Sequence, residues 1–460
     1  MNRVAVLNVV GLTPSLLGEH TPRMREFAQR GQQAVITPAF PALTCTAQAT
    51  YLTGQRPERH GIVGNGWYDR ALAEVQFWKQ SNHLVTAPKL WDDLRRTVGD
   101  GFTCAQMFWW YNMYASVDYS LTPRPIYRAD GGKIFDVYGA PSTICAEVKS
   151  ALGPFPFQTF WGPLAGVASS RWIAGSARWV EERHQPGLNL VYLPHLDYNL
   201  QRLGPSHPAI ADDLRQIDEV VGGLIAFFEK RGVEVVLLSE YGITEVDRPV
   251  CLNRLFREQG WIAVREEVGT EVLDAGASRV FAVADHQVAH VYVNDPGLRS
   301  AARALLEKQP GVERVLDQSE QAALGIGHAR SGDLLAVADA RSWFAYYYWL
   351  DDARAPDFAR TIDIHRKPGY DPAELFVDPK LRLPKWRIAR FLLRKKLGFR
   401  ALLDVIPLDA SLVRGSHGRV PESERDWPVL VSGRQGTGLA ARVAATDVYG
   451  WLRGRCLDAG

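Results

Sequence analysis

The order of predicted strands and helices indicates an α/β fold with a doubly wound, mostly parallel sheet and helices on both faces. The first apolar run, Val4 to Val10, is followed by Gly11 and by a helix that begins at Thr21-Pro22. The same alternation returns later, where apolar strands over 188–193 and 233–238 each follow a predicted helix. Parallel strands need long crossover connections, which are usually helices, so this alternation favours a parallel sheet.

The other elements rest on helical or strand-like apolar patterns bounded by Gly, Pro or polar residues. Helices are predicted over 21–31, 91–96, 171–184 and 210–230, and further strands over 102–108, 281–293 and 333–339. Residues 415–431 return to the pattern of the first half. We therefore predict a core formed by 1–250 and 411–460, with 251–410 as an inserted or capping region.

Composition narrows the class of protein. The 460 residues are 46% hydrophobic with a net charge of +2, which supports a large core and gives no global attraction to nucleic acid. Five widely spaced cysteines without a CxxC pair form neither a disulfide framework nor a zinc ribbon. The N-terminal apolar run is too short for a signal peptide, and no run reaches a membrane-spanning length. We expect a cytoplasmic protein that binds no nucleic acid.

Thr44 opens the most informative segment. It follows Pro41-Ala42-Leu43, begins a predicted helix, and is followed by Thr53-Gly54 and then by His60-Gly61-Ile62-Val63-Gly64-Asn65. The segment resembles the nucleophile segment of the type I phosphodiesterases and nucleotide pyrophosphatases of the alkaline phosphatase superfamily. The resemblance implies an alkaline phosphatase-like core, attack of the Thr44 hydroxyl on phosphorus, and donation of the Asn65 amide to a phosphate oxygen. The alternative is an ordinary helix N-cap.

The resemblance also implies metal ligands, and only some of them are present. Asp197 and His417 match the family positions, and Glu240 keeps a carboxylate on a longer arm. The family's remaining aspartate and two histidines are replaced; the replacements are Val10, Gln201 and Tyr241. We therefore expect a divalent metal, zinc by type, with one ion favoured over two. Gln201 and Tyr241 would contact the substrate instead. The alternative for Asp197 is a helix or turn cap, and His195 would share its side if the strand continued.

A third metal ligand is predicted in a polar, turn-rich segment of the insertion. Asp363 and His365 would share one face of an extended strand, and Arg366 and Lys367 would then hold a phosphate. The alternative is a surface turn with an ion pair. A weaker pair of candidate ligands, four residues apart, is His286 and His290.

Two further segments allow more than one interpretation. The aromatic run 108–114 follows a central strand and would stack a planar group or pack in the core. The segment Lys380–Arg400 is rich in Lys and Arg, contains no acidic residue, and has apolar side chains between the cations. It would contact an anionic membrane peripherally, attract an anionic substrate, or form a solvated face over a packed stripe.

The resulting functional hypothesis is a metal-dependent phosphohydrolase that cleaves a phosphodiester or pyrophosphate bond through Thr44, with a small phosphorylated or nucleotide-like substrate. One alternative is carbon–phosphorus cleavage of the phosphonoacetate hydrolase type. Another is a degenerate, non-catalytic member that binds a phosphorylated or anionic ligand. A sulfatase is disfavoured because Cys45 lacks the C/S-x-P-x-R sequence of those enzymes.

Overall fold

The computed structural model describes residues 2–129, 132–399 and 401–458. Its central strands are apolar and buried along their whole length, as expected for a sheet covered on both faces. The strands are β1 Val4–Val9, β2 Gln32–Thr37, β3 Gly66–Asp69, β4 Glu74–Phe77, β5 Cys104–Met107, β6 Tyr119–Pro123, β7 Ile126–Tyr127, β8 Lys133–Ile134, β9 Val137–Ala140, β10 Leu188–Leu193, β11 Glu234–Leu238, β12 Thr244–Glu245, β13 Arg248–Val250, β14 Ala263–Glu267, β15 Thr270–Asp274, β16 Val280–Asp285, β17 Val288–Val293, β18 Val312–Leu316, β19 Leu334–Ala338, β20 Ser342–Phe344, β21 Gly415–Ser416, β22 Val429–Ser432 and β23 Arg442–Ala444.

The main sheet has the strand order β23-β2-β22-β11-β1-β10-β5-β6-β9. Strand β1 lies parallel to both β11 and β10, and the parallel run continues through β5 to β6. Only β22 and β9 run antiparallel to their neighbours in this sheet, as the structure describes it. The predicted doubly wound, mostly parallel sheet is confirmed. The carboxyl ends of β11, β1 and β10 meet at one edge, where α/β proteins place their sites.

The helices form two groups that cover the sheet. Helices α1 and α6 both contact α8, while α2 and α4 both contact α13. The helices are α1 Pro22–Arg30, α2 Thr44–Thr53, α3 Pro57–His60, α4 Leu90–Val98, α5 Ile144–Leu152, α6 Val167–His184, α7 His195–Leu203, α8 Ile210–Glu229, α9 Leu252–Glu258, α10 Arg299–Glu307, α11 Gln318–Ala323, α12 Pro384–Lys396 and α13 Asp447–Leu457. In the described ranges, none combines the length and the apolar character that crossing a bilayer would require.

The inserted region has its own antiparallel sheet, with the order β16-β17-β19-β18. The predicted strand over 281–293 is a hairpin, because the chain turns at His286, whose φ of +60° lies in the left-handed region. Leu43, beside the start of α2, shares an apolar cluster with Val288 and Leu335 of this second sheet. The insertion therefore packs directly against the segment that carries Thr44. The aromatic run 108–114 is mostly buried, in agreement with core packing.

Candidate functional site

Thr44 is the first residue of α2, and its N-cap, Leu43, has no side chain that can accept a hydrogen bond. The start of α2 therefore has no cap from its own N-cap residue, and of its first N–H groups that of Cys45 is accepted by the Asn65 side chain. The other site residues lie at the carboxyl edge of the sheet, at or after the ends of three neighbouring strands. Asn8 lies near the end of β1, Glu240 and Tyr241 follow β11, and Asp197 lies in the first turn of α7, which follows β10.

The Thr44 hydroxyl is part of a buried chain of hydrogen bonds. Its Oγ lies 3.0 Å from the Tyr241 hydroxyl, and that hydroxyl donates to Asp197 Oδ1 at 3.0 Å. A phenol has one proton, and here it is directed to the carboxylate. Thr44 must then donate to Tyr241. The geometry connects the threonine proton to a carboxylate through one phenol.

Asp197 is held from a second side. Gln201, one helical turn later, donates to Asp197 Oδ2 at 2.8 Å, and its own carbonyl accepts from Tyr370 at 2.8 Å. Asp197 thus accepts two donors, which favour the charged carboxylate, but complete burial has the larger effect and raises its pKa to about 7. Asp197 is poised to exchange a proton near neutral pH.

Glu240 lies on the other side of Thr44. Its Oε1 accepts from Asn8 at 2.5 Å and from Gln48, on the next turn of α2, at 2.6 Å. Burial raises the pKa of Glu240 to about 8, although Gln48, Asn8 and the nearby Thr44 hydroxyl oppose that shift. Glu240 is therefore protonated at neutral pH and brings no negative charge to the site.

Asn65 reaches the start of α2 as the family resemblance implies, but its contacts differ from the prediction. Its carbonyl oxygen accepts the backbone N–H of Cys45 at 3.0 Å, and its amide nitrogen donates to Asp285 at 3.1 Å. The Asn65 backbone N–H also donates to Asp285, at 2.8 Å. Asn65 thus fixes the helix end against the β16–β17 turn and keeps one amide N–H for a ligand.

Four aromatic rings form a continuous stack over these polar groups. Tyr241 stacks on His417 at 3.5 Å between ring centroids, His417 meets His286 at 3.8 Å, and His286 stacks on Tyr370 at 3.6 Å. His417 Nδ1 lies 2.8 Å from the Ala42 carbonyl and must donate to it, which leaves Nε2 as a bare acceptor. That buried nitrogen has no hydrogen-bond partner among the described residues.

Burial sets the charge of the whole site. It lowers the pKa of His286 and of His417 well below the usual value, so both rings are neutral. It raises the pKa of Asp285 to about 6, against the two Asn65 donors. The site residues named so far therefore include no cation at neutral pH. Helix N–H groups and the Asn65 amide are the donors that this edge offers to an anion.

The residues predicted to complete a metal site lie elsewhere. Asp363 and His365 belong to a turn, and His365 is exposed, with Nδ1 3.3 Å from the Phe77 carbonyl. Charged neighbours of His365 are Lys79 and Lys133, which belong to the surface. The structure therefore does not bring Asp363 or His365 beside Asp197 and His417 as metal ligands, as the sequence predicted, because their segment forms a turn and is not extended.

The predicted phosphate cations are also engaged elsewhere. Arg366 pairs with Asp357 at 2.8 Å on the surface. Lys367 is buried between Asp371 and Glu374, 2.7 Å from each. Its charge is already neutralised, so the structure does not support the predicted phosphate contact by either residue.

Two other histidines have partners outside the site. His195 begins α7 and does not continue the strand, so it faces Asp213 at 3.3 Å, away from Asp197. His290 Nε2 lies 3.0 Å from the Val63 carbonyl and Nδ1 accepts from Gly332, which gives it a structural role in β17. Of the pair His286 and His290, only His286 lies at the site.

The donor set does not fit the metal centre of the resemblance. His417 Nε2 has a free lone pair, as a ligand needs, but both Asp197 oxygens accept hydrogen bonds, and the Tyr241 hydroxyl fills the space between Thr44 and Asp197. Val10 offers no donor atom. Within the ranges that the structure describes, no three His, Cys, Asp or Glu side chains are grouped to hold a metal ion. A typical catalytic zinc takes three protein ligands.

Four contributors were not among the predicted site residues. Asp285 and Tyr370 come from the insertion, and Asn8 and Gln48 come from the core. Asn8 could have been predicted from the sequence, because a polar side chain in an otherwise apolar first strand requires a buried partner. Gln48 lies one turn after Thr44, which places it on the same face of α2. Asp285 and Tyr370 depend on tertiary packing and had no comparable signal.

Comparison with known proteins identifies the family. The sequence profile of the family described as type I phosphodiesterase / nucleotide pyrophosphatase matches residues 4–371. The chain belongs to this family. Members of the type I phosphodiesterase family are hydrolases of phosphodiesters and pyrophosphates that generally depend on divalent metal ions. The match covers the Thr44 segment, the central strands and most of the insertion.

Individual relatives are distant. An uncharacterised pyrophosphatase/phosphodiesterase of Schizosaccharomyces pombe is 25% identical over 249 residues, which are 51% of this chain and 44% of that protein. The chain thus matches less than half the length of that relative. An inactive variant of murine ectonucleotide pyrophosphatase/phosphodiesterase 5, in complex with AMP, is 14% identical with a TM-score of 0.60, covering 99% of this chain and 95% of the other.

Phosphonoacetate hydrolase of Sinorhizobium meliloti, in complex with phosphonoacetate, has a similar fold. It is 14% identical with a TM-score of 0.63, and the likeness covers 99% of this chain and 95% of that enzyme. At this level of identity both structural likenesses show the shared fold. They confirm the alkaline phosphatase-like architecture that the sequence predicted.

Proposed function

We propose that this protein hydrolyses a phosphoric ester or anhydride bond with Thr44 as the attacking group. The observation that carries the proposal is the buried chain from the Thr44 hydroxyl through Tyr241 to Asp197. A hydroxyl attacks phosphorus poorly unless a neighbouring group takes its proton. Asp197, with a pKa near neutral, is suited to that task.

The proposed steps use only groups of this chain. The Thr44 proton passes to Tyr241 as the Tyr241 proton passes to Asp197, and Thr44 Oγ forms a bond to phosphorus while the bond to the leaving oxygen breaks. The leaving group departs as its oxyanion. Water then attacks the phosphorus of the phosphothreonine and releases a proton to solvent, and the bond to Thr44 Oγ breaks as the proton on Asp197 returns to that oxygen through Tyr241. The N–H groups at the start of α2 and the Asn65 amide would hold the phosphoryl oxygens. Zinc has no place in these steps, because the donor set does not fit it.

The charge of the site favours one substrate class. Protonated Glu240 and two neutral histidines add no charge, and none of the site residues named above is a cation at neutral pH. A phosphodiester carries a single negative charge, so it is easier to accommodate there than a pyrophosphate or a phosphonate. We infer a small phosphodiester substrate. The AMP bound to the murine neighbour is in keeping with a nucleotide-like leaving or retained group.

Removal of the Thr44 hydroxyl tests the proposal. Thr44→Ala should lower hydrolysis of bis(p-nitrophenyl) phosphate by more than about a thousandfold while circular dichroism stays unchanged. The matched control is Cys45→Ala, the next residue of α2; burial raises the pKa of that thiol well above its usual value, so it is no nucleophile. Full activity of Thr44→Ala, or equal loss in both variants, would rule out Thr44 as the attacking group.

A second candidate function is binding without turnover. The replacements at Val10, Gln201 and Tyr241, together with the nearly complete burial of Thr44 (3% exposed), motivate it. In that case calorimetry would detect a phosphodiester analogue that binds to the wild-type protein and not to Asn65→Leu, with no product formed. Turnover that depends on Thr44 would exclude this alternative. The predicted cytoplasmic location stays a proposal.

A further inference from the structure

Helix α12, Pro384–Lys396, is attached to the protein along one side only. None of its residues is buried. Ile388 rests on a small apolar cluster around Ala373 and Ile406, and Arg387 on the same side pairs with Asp404. The remaining surface of the helix faces solvent.

The outward side of α12 carries an apolar stripe. Trp386, Leu393 and Leu397 are 60%, 58% and 64% exposed. At 3.6 residues per turn these three positions share one face, which lies nearly opposite Ile388. Leu383, just before the helix, is 69% exposed and continues the apolar surface. The helix therefore presents its apolar face away from the protein, the reverse of an ordinary surface helix.

Cations border this stripe on both sides. Their positions on the helical wheel are adjacent to it; they are Lys385, Arg390, Arg394 and Lys396. Residues 380–399 contain eight cations and no acidic residue. In the part of the chain that the structure describes, only Arg387 among these cations forms an ion pair. Arg400, the last residue of the predicted basic segment, lies outside the described residues.

We propose that α12 is a docking face for the surface of an anionic lipid bilayer. The helix would lie in the plane of the headgroups, with Trp386, Leu393 and Leu397 inserted and the bordering cations on lipid phosphates. An outward apolar stripe with a basic border is the pattern of helices that bind in the interface of a bilayer. Insertion would also remove this apolar surface from water, which is favourable.

Two other occupants fit less well. A second copy of this chain would bring the six cations of α12 against the same six, which opposes pairing through α12. A nucleic acid would use the cations but gives no reason for an exposed tryptophan and leucines, since phosphate contacts alone supply nonspecific binding. A bilayer of anionic lipid would bind both the apolar stripe and the basic border.

The docking face has a fixed relation to the site. Ala373, which supports Ile388, follows Tyr370 by three residues, and Tyr370 donates to Gln201 beside Asp197. A short buried segment therefore joins the base of α12 to the wall of the site. Docking would hold the site at a set distance from the membrane. The proposal does not depend on which bond the site cleaves.

Vesicle sedimentation of the full chain tests this inference. The protein should sediment with vesicles of phosphatidylcholine and phosphatidylserine in equal parts, and much less with phosphatidylcholine alone. Arg394→Glu/Lys396→Glu should weaken the partition coefficient by at least about thirtyfold. Lys230→Glu/Lys308→Glu makes the same change in net charge at exposed positions on other helices or their ends, and should keep most of the binding.

A second variant distinguishes binding to lipid from binding to other polyanions. Leu393→Ser/Leu397→Ser keeps every charge and changes only exposed residues, so the fold is retained; it should reduce vesicle binding by at least about tenfold and make the rest sensitive to salt. Equal binding by this variant and the wild type, or preference for duplex DNA over vesicles, would overturn the proposal. So would equal losses in the Lys230/Lys308 and Arg394/Lys396 variants.

Discussion

The Tyr241 hydroxyl lies 3.0 Å from the Thr44 hydroxyl and 3.0 Å from Asp197, and so joins the two. The family resemblance predicted a histidine at the position of Tyr241, as a metal ligand. A phenol cannot take that role readily, since it stays protonated near neutral pH and burial raises its pKa further. Its position instead provides a direct path for a proton from Thr44 to Asp197.

Tyr241→Phe should remove the proton path and keep the ring stack on His417. We expect kcat to fall by about 10²–10⁴-fold, the usual contribution of general-base catalysis. The unpaired Asp197 oxygen should also reduce the free energy of unfolding by about 1–3 kcal/mol. Stopped assays of phosphodiester cleavage and urea unfolding measure both effects. An unchanged kcat would show that Thr44 loses its proton by another route.

Activity should depend on pH in the form of a bell. Asp197 must be ionised to accept a proton, so kcat/KM should rise as pH passes about 7. Glu240 ionises near pH 8, and its charge would then repel the substrate phosphate and lower kcat/KM. The Glu240→Gln variant should keep the acid limb and lose the alkaline one. A flat profile between about pH 5.5 and 9, a span that includes both values, would contradict these roles.

The stability of the protein should fall as pH rises because of Glu240. Its folded pKa of about 8 exceeds its ordinary value of 4.5, so between these values the folded chain holds a proton that the unfolded chain has lost. That contribution is fully present below pH 4.5 and is lost as pH rises through 8. Relative to wild type, Glu240→Gln should gain up to about 5 kcal/mol in unfolding free energy across this window. Urea unfolding at both ends of the window measures the difference; an unchanged difference would contradict the raised pKa.

Purified protein should contain far less than one zinc or other divalent ion per chain, measured by mass spectrometry of the metal. Restoring the three replaced ligands in Val10→Asp/Gln201→His/Tyr241→His should raise metal content, since it returns donors to the positions that the family resemblance implies. The matched control is Asp363→Ala/His365→Ala, which should change nothing. Stoichiometric metal in the wild-type protein, lost on His417→Ala, would show that the donor set rearranges around an ion.

The sequence predicted the central sheet well because its strands are long apolar runs with helices between them. Leu188–Leu193 was predicted with its observed bounds, and Val4–Val10 differs by one residue. The strand predicted over 281–293 failed as a single element, since His286 and Gln287 interrupt it with a turn in which His286 is left-handed. Local pattern does not distinguish a long strand from a tight hairpin when both arms are buried.

Site residues that belong to a short sequence motif were predicted. Site residues that only the tertiary fold brings to the site were missed. Thr44, Asp197, Glu240 and His417 do meet at the carboxyl edge of the sheet, as their motifs indicated. Asp363 and His365 were predicted from residue type and spacing alone, and their segment forms a surface turn instead. Tyr370 does reach the site from the same segment. No spacing rule identifies which residue of an irregular loop points inward.

The stack of four rings joins two parts of the chain that the sequence analysis predicted as separate regions. Tyr241 and His417 belong to the core, whereas His286 and Tyr370 belong to the 251–410 insertion. A shortened insertion would strip one side of His417 and open Asp197 to water. The inner border of the insertion is thus as constrained as the core itself, and heat should unfold both in one cooperative transition. The outer border is less constrained, because no residue of α12 is buried and substitutions there leave the packing around Thr44 intact.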